Sequence, residues 1–150
     1  MSAVTRRNDG DGTVQLECEG CTFTYMRPRP GVVYLVIRGK DRGQFAEAAM
    51  HELEHDLDRW PPVELYVDTS LAGGVVTEVS EAWSGWFKDH RAELKSVSIL
   101  VRSRFMHLTV EVAKLFSRTG EMIRVYLDPG HFEEAVARAC PGFRVPDSTG

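Results

Sequence analysis

His51-Glu52-Leu53-Glu54-His55 is the stretch of this chain whose residue types and spacing most directly suggest a chemistry. It matches H-E-x-x-H, in which two histidines one helical turn apart hold zinc and the glutamate beside the first activates the metal's water. The surrounding apolar positions argue against that use. At about 100° per residue, Phe45, Ala46, Ala49, Met50, Leu53, Leu57 and Trp60 form one stripe, and both histidines fall nearly opposite its centre, beside Glu47, Glu54 and Asp58. They are expected to face water. A zinc site also needs a third ligand and a walled cleft, whereas the chain runs on through Pro61-Pro62 into a strand pattern. A zinc-dependent hydrolase using His51, Glu52 and His55 is the disfavoured reading, and neither a metal nor a cofactor is expected.

Two other groupings carry candidate chemistry. Cys18-Glu19-Gly20-Cys21 is half of a zinc-knuckle pattern, but no second Cys-x-x-Cys follows and Cys140 is the remaining sulfur. The pair reads as two small residues flanking a hairpin turn. The second grouping is a rim. Asp68, Thr69, Ser70, Thr77 and Ser80 follow one strand pattern, and Arg102, Ser103 and Arg104 follow the next. Loops leaving neighbouring parallel strands meet helix amino ends, where free N–H groups favour anions, so this rim suits a phosphate, a phosphorylated side chain or a lipid head group. Helix capping by Thr77 and Ser103, with the arginines paired to Asp68 or solvent, accounts for the same residue types. No Gly-x-Ser-x-Gly elbow is present.

The elements that must position these residues follow from pattern. Residues 1–13, polar and glycine-rich, read as a flexible leader, 14–140 as one α/β domain and 141–150 as a short tail. Val14–Cys18 and Thr22–Met26 form a hairpin closed at Glu19-Gly20, and a third strand covers Val32–Arg38. Alternation follows: helix around 41–60, strand Val63–Asp68, helix 77–94, strand Val97–Arg102, helix 104–119, strand Met122–Leu127 and helix 130–140. The expected fold is a single mixed sheet, antiparallel at its start and mostly parallel afterwards, flanked by about four helices. Ser103 and Gly120 are placed to cap and end the third helix, and Asp128-Pro129 to start the last. Val79, Trp83, Trp86, Phe87, His90 and Leu94 give the second helix an aromatic core stripe. The third helix has Phe105, Leu108, Val112, Leu115 and Phe116 for the core and a second apolar stripe, Met106, Val110 and Ala113, suited to a partner or a homodimer.

Composition sets limits. With 150 residues, 43% of them hydrophobic, the chain can bury a core without disulfides. A formal charge of -4 with both signs interspersed gives no cationic field for nucleic acid. No run is long and apolar enough to span a bilayer, and the start lacks a secretory signal, so a cytoplasmic protein with reduced cysteines is expected.

The order of elements resembles the STAS fold, and more specifically its SpoIIAA-like branch, also described as STAS/SEC14-like, over Val14 to Ala139. The resemblance rests on Val63-Glu64-Leu65-Tyr66-Val67-Asp68 followed by Glu81-Ala82-Trp83-Ser84-Gly85-Trp86-Phe87. It continues in Ser98-Ile99-Leu100-Val101-Arg102-Ser103-Arg104-Phe105, in Val125-Tyr126-Leu127-Asp128-Pro129 and in Phe132-Glu133-Glu134-Ala135. Phosphorylatable STAS proteins, bacterial switches that bind partner proteins, carry a serine preceded by aspartate where the helix after this strand begins. The matching stretch here, from Asp68-Thr69-Ser70 to Thr77-Glu78-Val79-Ser80, lacks their Asp-Ser-Ser-Gly-like run. The resemblance thus implies a small non-catalytic regulatory or protein-interaction module of a bacterial cytoplasm. A SEC14-like carrier of a lipid or other small apolar ligand is the alternative.

Overall fold

The computed structural model describes residues 3–10, 12–102 and 122–146. Four strands open the chain: β1 (Thr5–Asn8), β2 (Val14–Cys18), β3 (Cys21–Arg29) and β4 (Val32–Asp41). They are followed by α1 (Ala48–Arg59), β5 (Val63–Val75), α2 (Thr77–Asp89), β6 (Leu94–Leu100), β7 (Ile123–Tyr126) and α3 (Pro129–Ala139). The strands form one sheet in the order β1-β2-β3-β4-β5-β6-β7. Pairs up to β3–β4 are antiparallel and the later ones parallel. This is the mixed sheet that hairpin signals followed by strand–helix alternation demand. Three helices lie among the described residues; the expected helix 104–119, with Met106, Val110 and Ala113, lies outside them, as do Ser103 and Arg104.

The β2–β3 turn is set by two residues. Glu19 and Gly20 both have positive φ, 48° and 78°, as a two-residue hairpin with the strands' own twist requires. Cys18 and Cys21 are register partners beside it, and both are buried. Gly39 of β4 must lack a side chain, because a Cβ there would meet the carbonyl oxygen of Gly20.

Period-two alternation divides the core between the sheet's faces. Val33 and Leu35 of β4 point to the face covered by Ala49, Leu53 and Leu57 of α1 and by Trp86 and Phe87 of α2. Val32, Tyr34 and Val36 point to the other, where Phe132, Ala135 and Val136 of α3 pack. Phe132 is fully buried, its ring centroid 6.0 Å from Tyr34, 6.2 Å from Tyr66 and 5.8 Å from Tyr126. Asp128 starts α3 as the sequence suggests, accepting a 2.8 Å bond from Gly130 N with Pro129 at the first helical position.

Several boundaries differ from the sequence expectation. Thr5–Asn8, within the expected flexible leader, is a strand: it pairs with β2, and its polar, exposed side chains give no alternation to read. Helix α1 begins at Ala48 because the preceding residues form turns, Ala46 having φ 50°. Trp60 is not core; it terminates α1 at 49% exposure. Helix α2 stops at Asp89, so Leu94 belongs to β6. In the expected tail, Phe143 packs on Tyr34 at 5.5 Å between centroids. Strand β5 runs seven residues past Asp68, to Val75, because Leu71 to Val75 pair with Arg38 to Asp41 of a β4 that is itself longer than expected.

Candidate functional site

The H-E-x-x-H segment lies on α1 with its histidines outward, as the stripe predicts. His51 is exposed, 3.5 Å from Glu47 and 3.8 Å from Glu54, and His55 is exposed as well. Glu52, which would activate water in a zinc enzyme, turns inward to 7% exposure. Its Oε1 accepts a 2.9 Å hydrogen bond from Arg6 Nε of β1, and its Oε2 one of 3.2 Å from Arg27 Nη2 of β3. Arg27 also forks onto Asp56 one turn further on, with Nε 2.9 Å and 3.1 Å from its two oxygens and Nη2 2.9 Å from Oδ2. Burial raises the Glu52 pKa, but the hydrogen bonds and charges of Arg6 and Arg27 outweigh it and hold the carboxyl below its ordinary value. The motif therefore clamps α1 onto the sheet. Among the described residues no three His, Cys, Asp or Glu side chains gather as a metal site would require.

Of the described rim residues, Thr69 and Ser80 line one pocket, while Asp68, Ser70, Thr77 and Arg102 are not part of its lining. Asp68 is buried, and its Oδ1 accepts from Ser70 N at 2.9 Å and Ser70 Oγ at 2.6 Å. Thr69 donates to Leu100 O at 2.6 Å, bridging β5 to β6. All three lie inside β5, not on a loop, and the β4–β5 register shifts between Val36 and Arg38 beside them. Thr77 is the first residue of α2, not its cap: Val76 holds that place and no side chain bonds there. Thr77 and Arg102 are exposed, and Ser80 is half-buried.

What the fold does assemble lies around α2. A pocket of about 140 Å³ opens between its inner side and the sheet, lined by Leu35, Leu65, Val67, Trp83, Phe87 and Ile99 and by the polar Asp41, Thr69, Ser80 and Ser84, among others. A carrier of a whole lipid needs several times that space. Outside it, a surface groove of about 660 Å³ separates α2 from residues 41–50. Its apolar lining includes Phe45, Ala49, Met50, Val79, Trp83 and Trp86, and Glu47, Glu78, Glu81 and Asp89 border it with Arg42. Glu54 ties the two helices at one end, with Oε1 3.4 Å from Trp86 Nε1 and 3.5 Å from His90 Nε2. His90 ends α2 with its ring 4.6 Å from Trp86, the core-edge position its spacing predicts.

Asp41, the last residue of β4, lines both hollows. It is 7% exposed, its Oδ1 accepts a 3.0 Å bond from Gly43 N, and burial raises its pKa above the ordinary value despite that bond. No arginine, lysine or histidine among the described residues pairs with it.

Structural comparison places this arrangement among known folds. A DUF3478-family protein with a SpoIIAA-like fold from Shewanella loihica aligns with a TM-score of 0.58 at 17% identity, covering 79% of this chain and 95% of that one. The fold is STAS/SpoIIAA-like. An anti-sigma factor antagonist from Mycobacterium paratuberculosis aligns at 0.57 and 13% identity, over 87% of this chain and 98% of the other. The anti-sigma factor antagonist SpoIIAA in its unphosphorylated form aligns at 0.55 and 14%, over 81% and 99%. No protein-family model matches the sequence, and no curated protein matches it significantly. No helix among the described residues is long and apolar enough to cross a membrane.

Sequence reasoning missed Asp41, Arg6, Arg27 and the inward role of Glu52. One signal was present: Glu52 and Asp56, four apart, flank the apolar stripe of α1, where a carboxylate needs a cation from whatever the helix covers.

Proposed function

We propose that this chain is a small STAS-type regulatory module of the cytoplasm that acts by binding a partner protein and catalyses no reaction. The groove between α2 and residues 41–50 carries the reading: an apolar floor with carboxylates on both borders, Glu47 on one side and Glu78, Glu81 and Asp89 on the other. Monomers seldom leave contiguous apolar surface open without a use for it. The fold supports the reading, since anti-sigma factor antagonists share it. Helix α2 has 13 residues, about 20 Å at the usual rise, which matches three to four turns of a partner helix. The partner segment is an amphipathic helix with apolar anchors flanked by lysine or arginine. Of the rim residues Thr77 and Arg102 are exposed, and Thr77 lies between Val76 and Glu78, which line the groove.

The test is photo-crosslinking in the native host from a benzoylphenylalanine at Glu81, with the captured protein identified by mass spectrometry and then purified. Its binding is expected to fall at least tenfold in a Glu78→Lys, Glu81→Lys variant and to weaken with salt. A partner that binds this variant unchanged, or crosslinks only from positions on α3, removes the groove as the docking face.

A further inference from the structure

We infer that the pocket beneath α2 is a binding site for a small amine: an ammonium group carried on an apolar body about the size of a benzene ring. Its volume, about 140 Å³, sets the size. An apolar cavity of roughly 150 Å³ accepts benzene, so a single ring or a short branched chain fills this one. Leu35, Val67, Phe87 and Ile99 make the walls apolar, which favours taking such a body out of water.

The polar groups specify the rest. The Thr69 hydroxyl spends its proton on Leu100 O at 2.6 Å, and the Ser84 hydroxyl spends its own on Ser80 O at 2.9 Å. Both oxygens are left to the pocket as acceptors. The Asp41 carboxylate is a third acceptor, 7% exposed and held by Gly43 N through one oxygen, and no cationic side chain among the described residues pairs with it. A buried carboxylate without a cation is costly, and a ligand that brings the cation relieves that cost. Trp83 lines the pocket as well, and an indole is the aromatic ring that attracts a cation most strongly. A set of acceptors, an unmatched carboxylate and an aromatic ring select a donor with positive charge and disfavour an anion or a plain hydrocarbon. Asp41 and Trp83 line both pocket and groove, so the site adjoins the proposed docking face, yet it is defined without any partner and is tested on the isolated protein.

The experiment is a titration of the 15N-labelled chain with benzylamine, benzyl alcohol and toluene, following amide shifts and fitting dissociation constants. Saturable one-to-one binding of benzylamine is expected, at least tenfold tighter than either neutral analogue, with the largest shifts at Asp41, Thr69 and Trp83. An Asp41→Asn variant is expected to lose that preference while still taking up toluene. An Ala72→Leu variant, which puts a larger side chain into the pocket lining, is expected to bind none of the three. The assignment is overturned if no probe saturates in the wild-type chain, if the alcohol or toluene binds as tightly as the amine, if Asp41→Asn keeps the preference, or if the shifts map elsewhere. The wild-type series decides the matter even where a variant folds poorly.

Discussion

Two regions of this molecule bury carboxylates and treat them in opposite ways. Under α1, Glu52 and Asp56 are each 7% exposed and share the forked guanidinium of Arg27, with Arg6 closing the cluster from β1. At the end of β4, Asp41 is equally buried but lines a pocket, with one backbone N–H as its partner and no paired cation among the described residues. The contrast separates structure from function. A neutralised cluster locks one helix in one place; an unmatched carboxylate beside open space gives up stability that only a ligand can restore.

The contrast is sharpest at Arg27. An Arg27→Ala substitution leaves Glu52 and Asp56 buried without their shared cation and is expected to cost about 3–5 kcal/mol, seen as a lower midpoint in denaturant. A loss below about 1 kcal/mol would place the cluster in the class of surface ion pairs and break the comparison.

Glu52→Gln keeps the shape but removes the charge, and near neutral pH is expected to cost about 1.5–3 kcal/mol, the worth of a hydrogen bond to a charged group. Its pH dependence sharpens the contrast further. Glu52 sits below its ordinary 4.5 because of Arg6 and Arg27, so its contribution is full above that pH and is lost as pH falls through the lowered value. Asp41 sits above its ordinary 3.8 because of burial, so its contribution is full below that pH and is lost as pH rises through the raised value. Stability measured from pH 3 to pH 7 is therefore expected to show Glu52→Gln falling progressively behind the wild type and Asp41→Asn gaining on it. Slopes of the same sign in the two variants would show that the two carboxylates do not differ in kind.

The smaller effects test the edges of the cluster. Arg6 is half-exposed, its side chain at 51%, so Arg6→Ala is expected to cost less than about 1 kcal/mol in spite of its 2.9 Å bond to Glu52. His51→Ala and His55→Ala, on the solvent face of α1, are expected to stay within about 0.5 kcal/mol of the wild type in thermal unfolding. A larger loss from either histidine would mean that the outward half of H-E-x-x-H carries more than solvation.

Local residue chemistry determined a good part of this protein. The hairpin follows from Glu19-Gly20, the start of α3 from Asp128-Pro129, the outward histidines from the period of α1, and the antiparallel-then-parallel sheet from hairpins giving way to alternation. Each is set by neighbours within a turn or two. The tertiary structure alone decided what depends on partners distant in sequence. Thr5–Asn8 becomes a strand because β2 lies beside it, and β5 carries Asp68, Thr69 and Ser70 inside the sheet because Arg38 to Asp41 pair with its second half. Glu52 became a clamp because β1 and β3 bring Arg6 and Arg27 beneath it, 46 and 25 residues away. Asp41 became a candidate ligand group because the fold put a pocket beside it and, among the described residues, no paired cation. Burial and charge compensation belong to the space between elements, and a one-dimensional pattern records only the elements.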